Sequence, residues 1–366
     1  MASTTKMMTA LLLLEKGNLN DVVVAPAGLE HIQESCLHLA PGERITLHDL
    51  LYAMLLRSAN DTAVAGADYL SGSVPAFVGL MNQKAVEIGA LHTHFVTPNG
   101  LYAPGHYSTA ADLARIAGYA VTTQPVFNQI VRTERYKITR SVHKQDEWVI
   151  NTSLGFLKNF PGADGIKTGY VSEAGHCFVG SATRNGDRFI AVALNSPRCR
   201  EDVEAILNYG FSHYHDVVAV ESNTPEGNIH VNGAAADVPV VTAKALTIAV
   251  PIGQTAPVFT VLVAPLAGGL TAPIRAGSVV GTASIFVDGK VVSTGDVLAA
   301  QDDLAAPAAG ALTGRGHNSR WLFWLLGIVV CAVLARAYLG KNYGRTTAKS
   351  HGRVRNRVAP DMRRVD

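Results

Sequence analysis

The sequence predicts a mixed α+β domain, then a small all-β domain and, near the C-terminus, a transmembrane helix. Helical periodicity alternates with β-rich runs from residue 3 to about residue 214. From about Val217 the chain turns into short β-rich runs separated by turn signals, and Trp321 to Ala335 is unbroken apolar sequence. With 366 residues, 48% hydrophobic and 16% charged, the chain is neither disordered nor fibrous and has room for two or three domains.

The larger domain, residues 1–214, is predicted to be rich in helices. Apolar residues recur at helical spacing from Thr46 to Leu70, with Thr46 as the N-cap and Asp49 three residues after it. The stretch PAFVGLMNQKAVEIGA predicts a second amphipathic helix that ends at Gly89, and a third begins at the Ser108/Thr109 cap. The runs HCFVGSATR and RFIAVALN predict two strands joined by the turn Asn185 to Asp187, and REDVEAILNYGFSHY closes the domain as a helix.

Residues 217–300 predict a small β-sandwich domain, in which Asp288-Gly289 is a turn signal. The Pro-, Gly- and Ala-rich residues 301–319 predict a linker. No internal repeat, glycine-rich phosphate loop or Cys/His cluster at metal-ligand spacing is visible, so no cofactor and no metal is expected.

Residues 320–340 predict the transmembrane helix. Tryptophans at one end and Tyr338 at the other are typical of the two membrane interfaces, and the span comes near the ~20 residues that a bilayer requires. A buried core helix is the alternative, because the clean apolar run is short. The tail 341–366 carries eight Lys and Arg against two Asp, so the positive-inside rule places it in the cytoplasm and the domains outside.

The formal net charge of +2 conceals that segregated tail, and the remainder is slightly acidic, which gives no reason to expect nucleic-acid binding.

An extracytoplasmic domain needs export, yet TALLLLEKG is too short an apolar run for a signal peptide. We therefore expect an export signal upstream of Met1. Because Cys36, Cys177 and Cys199 are an odd number, we expect them to be buried free thiols. A Cys177–Cys199 disulfide is the alternative.

Three short motifs carry the chemistry. The pattern Ser-x-x-Lys occurs twice, at Ser3 and at Ser141, so it is weak by itself. The sequence holds one Ser-x-Asn, which begins at Ser58, and one Lys-Thr-Gly, which begins at Lys167. In the order Ser-x-x-Lys, Ser-x-Asn, Lys-Thr-Gly these motifs define the active site of penicillin-recognising serine enzymes, and Ser3 alone fits the first place.

Each motif residue has a physical task. On a helix Lys6 can reach the Ser3 hydroxyl, and it can act as a base if burial and a second cation such as Lys167 lower its pKa. Ser58 offers a hydroxyl to relay a proton, and the Asn60 amide can hold Lys6 or a substrate carbonyl. Lys167 and Thr168 can take a carboxylate on an edge strand, where Gly169 lets the substrate backbone approach.

The sequence from Ala2 to Phe211 resembles the low-molecular-mass penicillin-binding proteins, specifically the serine-type D-alanyl-D-alanine carboxypeptidases. The stretches that carry the likeness include ASTTKMMTALLLLE, LLYAMLLRSANDTA, GADGIKTGYVSEAG and REDVEAILNYGF. APIRAGSVVGTASIFVDGKVV resembles the family's C-terminal β-domain more loosely. The resemblance implies a penicillin-binding-protein/β-lactamase-like transpeptidase fold for the first domain.

The resemblance also implies the roles of the site residues. Ser3 would be the acylated nucleophile and Lys6 the general base, with Ser58 and Asn60 as relay and positioning groups. The terminal carboxylate of the peptide would bind Lys167, Thr168 and Arg200. The backbone N–H groups of Ser3 and Tyr170 would form the oxyanion hole, although Tyr170 stands where several relatives carry His.

The expected function is a D-Ala-D-Ala carboxypeptidase in the bacterial cell membrane that removes the terminal D-alanine from peptidoglycan stem peptides, with β-lactams as inhibitors. One alternative is a class A β-lactamase or a peptidoglycan endopeptidase of the same fold. A β-lactamase would require a deacylating Glu between Ser58 and Lys167; Glu87, Glu134 and Glu147 lie in that interval, but none has the Glu-x-x-Leu-Asn setting of that family. The other alternative is a truncated, non-catalytic wall-binding module.

Overall fold

The computed structural model describes residues 1–142, 146–266, 269–303 and 356–357, in two compact units. The first unit comprises Met1–Asp216 with Ala249–Gln254, and the second comprises Val217–Ile248 with the chain from Thr255 onward.

The helices of the first unit surround a buried central helix. Ala2–Thr5 is a 3₁₀ turn, and the α-helices are α1 (Lys6–Lys16), α2 (Leu47–Leu56), α3 (Asn60–Ser71), α4 (Val74–Glu87), α5 (Ala110–Thr123), α6 (Pro125–Val131), α7 (Leu154–Asn159) and α8 (Cys199–His213). Every residue of α1 from Lys6 to Leu13 is buried, as expected for a helix that is apolar on nearly all sides. The helix that begins just after Ser3 is therefore part of the core.

The strands of the first unit form three antiparallel groups. They are β1 (Val22–Val24), β2 (Arg44–Thr46), β3 (Arg135–Thr139), β4 (Asp146–Ile150), β5 (Ala163–Val171), β6 (Gly175–Arg184) and β7 (Asp187–Ala193). β1 pairs with β2, β3 pairs with β4, and β5, β6 and β7 make a three-stranded sheet in that order. The β6–β7 turn has positive φ at Asn185 and Gly186, which confirms the predicted hairpin. α8 packs against this sheet through Val203 and Leu207.

The helix predicted from Thr46 to Leu70 is wrong as a single element. Thr46 does cap α2, since its hydroxyl accepts a hydrogen bond from the Asp49 N–H at 3.1 Å. The chain then leaves the helix after Leu56, and α3 begins at Asn60. Ser58 has φ +65°, which an α-helix cannot contain, so the apolar periodicity runs through a break that it does not reveal. The other predicted helices are confirmed as α4, α5 and α8, with the predicted Thr109 cap on α5.

The regular elements described in the second unit are strands. β8 (Tyr214–Val220) enters it, followed by β9 (Pro225–Ile229), β10 (Val238–Thr242), β11 (Leu246–Pro251), β12 (Phe259–Pro265), β13 (Val279–Val287), β14 (Lys290–Ala299) and β15 (Asn356–Arg357). One sheet has the order β15-β12-β13-β14-β10-β9, and β8 pairs with β11. The β13–β14 turn has positive φ at Asp288 and Gly289, the pair that the sequence marks as a turn.

The predicted transmembrane helix at 320–340 lies outside the described residues, as do most of the predicted linker and tail. Among the described residues, no helix is long and apolar enough to cross a membrane. Cys36, Cys177 and Cys199 are free thiols, so the disulfide that the sequence left open is absent between Cys177 and Cys199.

Candidate active site

The Ser3 hydroxyl and the Lys6 ammonium meet at the start of α1. Ser3 lies in the 3₁₀ turn, and Lys6 is the first residue of the α-helix. Lys6 Nζ donates a hydrogen bond to Ser3 Oγ at 2.9 Å, the contact that the three-residue spacing predicts. The first N–H groups of a helix have no acceptor within it, so the Ser3 N–H can serve an external oxygen.

Lys6 is wholly buried, at 0% exposure, and its ammonium has three acceptors. Besides Ser3 Oγ, these are Asn60 Oδ1 at 2.7 Å and the Asn99 carbonyl oxygen at 2.6 Å. Burial holds the Lys6 pKa well below its ordinary value, and the neighbouring charge of Lys167 lowers the pKa further. Cys36, Glu34 and Asp61 act in the opposite direction but less strongly. This lysine can therefore be neutral and act as a base, provided that its acceptors keep it in place.

The break between α2 and α3 brings Asn60, two residues after Ser58, into contact with Lys6. Ser58 is 7% exposed and holds a left-handed backbone conformation that is costly for a residue other than glycine. Asn60 Nδ2 donates to the Gln33 carbonyl at 3.0 Å, which orients the amide with Oδ1 toward Lys6. The backbone N–H of Asn60 donates to the Ser35 carbonyl at 2.7 Å. The segment around residues 33–35 therefore fixes the second motif from outside the helices.

A buried carboxylate anchors that segment, and the sequence analysis missed it. Asp61 accepts from the backbone N–H groups of Leu37 and Leu39, each at 2.9 Å. Farther along, Arg140 pairs with Glu43 through two hydrogen bonds of 2.8 Å each and also donates to the Leu37 carbonyl. Asp61 directly follows Asn60 in the sequence, and that adjacency is the one signal that could have indicated its role.

The third motif lies on β5. Lys167 is 1% exposed, its Nζ donates to the Thr168 carbonyl at 3.0 Å, and burial lowers its pKa to about 7. The Thr168 hydroxyl bonds the Thr152 hydroxyl at 2.7 Å. A side chain at Gly169 would place its Cβ 2.8 Å from the Ser3 nitrogen, so only glycine lets β5 run this close to the 3₁₀ turn that holds Ser3. The β5 strand and Ser3 are thus adjacent.

Tyr170 and Arg200 lie farther out. The Tyr170 side chain is 55% exposed and its ring packs on His176, with 4.5 Å between centroids. Arg200, in the first turn of α8, donates to Glu204 at 2.8 Å. Its Nη1 lies against Gly155, where an added Cβ would come within 2.8 Å. Within the described part of the chain, no hydrogen bond joins Arg200 to β5.

The Asn99 carbonyl is the acceptor of Lys6 that the sequence analysis missed. The preceding carbonyl, of Pro98, accepts from the Thr9 hydroxyl at 2.6 Å, so two successive carbonyls face α1. Gly100 has φ +86°, and a Cβ there would lie 2.0 Å from the Ala2 carbonyl oxygen. The sequence PNG indicates a turn, but a backbone carbonyl has no residue-type signature that could identify it as a ligand of lysine.

The rival motif and the candidate deacylating glutamates all have other partners. Ser141 is exposed and its hydroxyl accepts from the Arg44 N–H at 2.9 Å, while Lys144 lies outside the described residues. Glu87 pairs with a lysine of its own helix, and Glu134 pairs with Lys158. Glu147 binds two arginines. Among the residues that the structure describes, no group of His, Cys, Asp and Glu is arranged to hold a metal ion.

Two family models match the chain. Residues 1–198 match the model described as D-alanyl-D-alanine carboxypeptidase, and residues 214–304 match the model of the C-terminal domain of penicillin-binding protein 5. The D-alanyl-D-alanine carboxypeptidase DacF of Bacillus subtilis is 31% identical over 310 residues, which cover 82% of this chain and 79% of DacF. DacC of Escherichia coli, which bears the same enzyme name, is 30% identical over 315 residues, which cover 80% of this chain and 75% of DacC.

Solved structures agree with these matches. Penicillin-binding protein 5 from Haemophilus influenzae superposes with a TM-score of 0.58 at 27% identity, covering 83% of this chain and 90% of that one. A variant of the Streptomyces K15 DD-transpeptidase superposes with a TM-score of 0.55 at 33% identity, covering 58% of this chain and 88% of that one.

Proposed function

The chain belongs to the D-alanyl-D-alanine carboxypeptidase family, and from that premise we propose that it removes the terminal D-alanine of peptidoglycan stem peptides through an acyl-enzyme on Ser3. Serine-type D-Ala-D-Ala carboxypeptidase activity, a peptidoglycan substrate and β-lactam binding follow from the family. The observation that carries the mechanism is the 2.9 Å hydrogen bond between Ser3 Oγ and Nζ of the buried Lys6.

Acylation begins with the Ser3 hydroxyl. Neutral Lys6 takes its proton while Ser3 Oγ bonds to the carbonyl carbon of the penultimate D-alanine. Negative charge develops on the carbonyl oxygen, which the backbone N–H groups of Ser3 and Tyr170 stabilise. The close approach of β5 to the nucleophile turn at Gly169 supports this pairing, because it brings the two backbones together. The tetrahedral intermediate collapses as the C–N bond to the terminal D-alanine breaks.

The leaving amine needs a proton, and Ser58 relays it from the Lys6 ammonium. The strained backbone at Ser58 supports this role, since such conformations persist where function requires them. Asn60 keeps Lys6 in place during the transfer through its 2.7 Å contact. Water then attacks the acyl-enzyme and releases the shortened peptide, and a β-lactam stops the enzyme at the acyl stage.

The terminal carboxylate of the substrate binds at Lys167 and Thr168. The buried Lys167 ammonium supplies charge at low local dielectric. The Thr168 hydroxyl, which donates to the Thr152 hydroxyl at 2.7 Å, would turn its proton to the carboxylate when the peptide binds. Arg200 is proposed to assist, because its guanidinium lies against Gly155, three residues after the Thr152 that bonds Thr168.

A β-lactamase of the same fold is not favoured. Its deacylating glutamate would have to face the acyl-enzyme, whereas Glu87, Glu134 and Glu147 are each held by cations. A non-catalytic wall-binding module is not favoured either, because a binding surface has no need of two buried lysines beside a serine.

Fluorescent penicillin labelling of the full chain tests the mechanism, followed by peptide mapping of the label. We expect the label on Ser3, and its loss in Ser3→Ala. Ser141→Ala is the matched control, because Ser141 begins the second Ser-x-x-Lys of the chain and should not affect labelling. Labelling that persists in Ser3→Ala would refute the acyl-enzyme proposal.

The substrate class is tested by comparing two products. We expect D-alanine release from a pentapeptide ending in D-Ala-D-Ala, and slow turnover of nitrocefin after one equivalent. Rapid, continuous hydrolysis of nitrocefin without D-alanine release would favour the β-lactamase instead.

We also propose that the chain is a single-pass protein of the bacterial cell membrane, anchored by residues 320–340, with the catalytic domain outside and the tail in the cytoplasm. The apolar run and the basic residues after it support this orientation. Membrane fractionation of the full chain and of a chain ending at residue 303 would test the anchor. Recovery of both in the soluble fraction would contradict it.

A further inference from the structure

His106 closes a loop against the nucleophile turn. The loop, residues 94–107, is pinned at its ends by two backbone hydrogen bonds between His94 and Tyr107, of 2.9 and 3.0 Å. Inside it, the His106 ring packs edge-on to the buried Phe95. His106 Nε2 lies 2.9 Å from the hydroxyl of Thr5, the residue before Lys6. One imidazole therefore touches both the loop and the last residue of the 3₁₀ turn that holds Ser3.

The partners of His106 determine its tautomer. Its Nδ1 accepts from the backbone N–H of Val96 at 2.9 Å and lies 3.4 Å from that of Thr97. Backbone N–H groups can only donate, so Nδ1 carries no proton and the neutral ring has its proton on Nε2. Nε2–H then donates to the Thr5 hydroxyl. Burial, which lowers the His106 pKa to about 4, agrees with a neutral ring.

The same loop delivers an acceptor to the catalytic lysine. The Asn99 carbonyl accepts from Lys6 Nζ at 2.6 Å, and the Pro98 carbonyl accepts from Thr9 at 2.6 Å. We propose that His106 is a positioning residue, whose Nε2-protonated imidazole ties the 94–107 loop to Thr5 and thereby holds the Asn99 carbonyl against the Lys6 ammonium. The inference rests on the proposed role of Lys6 as the base.

Loss of this link has a specific consequence. When the Asn99 carbonyl moves away, its hydrogen bond with the Lys6 ammonium weakens, so the Lys6 pKa falls. The Lys6 side chain is also held less firmly beside Ser3. The other groups that act on Lys6 are Lys167, Cys36, Glu34 and Asp61, which lie outside the loop and stay unchanged. His106 itself is faced by His94 and the amino group of Met1.

The test uses His106→Ala and His106→Gln in the full chain, with acylation by fluorescent penicillin measured across pH. We expect His106→Ala to acylate about tenfold more slowly, which corresponds to about 1.4 kcal/mol, and the acid limb of its pH profile to move to lower pH. Gln carries an acceptor oxygen and a donor NH₂ group, so His106→Gln should restore most of the rate and the position of the acid limb. His94→Ala is the matched control, because the His94 ring belongs to the same loop and, among the described residues, its hydrogen bond is within the loop, to the Gly105 carbonyl.

The tautomer is tested separately from activity by ¹⁵N NMR of the wild-type chain. Nδ1 should show the shift of an unprotonated imidazole nitrogen and Nε2 that of a protonated one. A proton on Nδ1, an unchanged rate and limb in His106→Ala, or an equal loss in His94→Ala would each overturn the proposal. If wild type fails to label at Ser3, the proposed mechanism fails instead, and the NMR result still decides whether His106 makes these contacts.

Discussion

Asn60→Ala tests whether Lys6 acts as a positioned base. Lys6 Nζ has three acceptors, and the Asn60 amide supplies the one at 2.7 Å. A hydrogen bond to a charged group contributes about 1.5–3 kcal/mol, so its loss should slow acylation by about 10- to 150-fold. The Lys6 pKa should also fall, because the ammonium loses an acceptor. The acid limb of the acylation rate against pH should therefore move to lower pH, while the plateau rate stays low.

The assay is the second-order acylation rate with fluorescent penicillin, together with the melting temperature. Asn128→Ala is the matched control, because Asn128 on α6 accepts from the Arg188 guanidinium at 2.6 Å and so also loses a charge-assisted bond. We expect Asn128→Ala to lose stability but keep its acylation rate. A wild-type acylation rate in Asn60→Ala, or an equal loss in both variants, would refute the reasoning.

Four further predictions follow from the same structure. Gly100→Ala places a Cβ 2.0 Å from a backbone oxygen, so it should lower both the melting temperature and acylation, whereas Gly28→Ala, at φ +92° with nothing within 4 Å, shows the effect of strain alone. Arg140→Met removes the guanidinium that pairs with the buried Glu43 carboxylate and should lower the free energy of unfolding by about 3–5 kcal/mol in urea titration, while Lys137→Met, at an exposed pair, should have far less effect. Lys167, with a pKa lowered to about 7, loses its charge as the pH rises through 7, so KM for a peptide ending in D-Ala-D-Ala should rise above that pH, and should stay flat in Lys167→Arg. Because the unfolded chain binds more protons than the folded chain between about pH 7 and 10, wild type should gain stability across that range, and Lys167→Met should gain less, since the buried Lys6 still contributes.

The local chemistry of the site could be predicted, because it depends on side-chain types at fixed spacings. The three-residue spacing brings Lys6 to Ser3 on any helical turn, and Gly169 is where a second backbone comes too close for a Cβ. The hairpin turn at Asn185 and Gly186 and the Thr46 cap belong to the same class, since a few neighbouring residues decide them. Such features can be predicted without knowledge of the tertiary structure.

The rest depends on contacts between distant segments. The Asn99 carbonyl reaches Lys6 across 93 positions of the sequence, and every residue has a carbonyl, so nothing marks this one. The left-handed Ser58 interrupts an apolar pattern that continues on both sides, because α2 and α3 each bury a face of their own. The break forms because the Asn60 N–H binds Ser35 rather than a helical carbonyl, and that partner is supplied by a loop.

The site combines features that a structural role would not retain. Burying Lys6 and Lys167 together costs free energy through desolvation and through like-charge repulsion. Both effects lower the Lys6 pKa. Ser58 adds backbone strain at the same place. General rules of burial and backbone preference fail here three times within one constellation, whereas α1 beyond Lys6 follows them. On the proposed mechanism these departures serve the acylation of Ser3, so the cost in stability is concentrated where the reaction needs it.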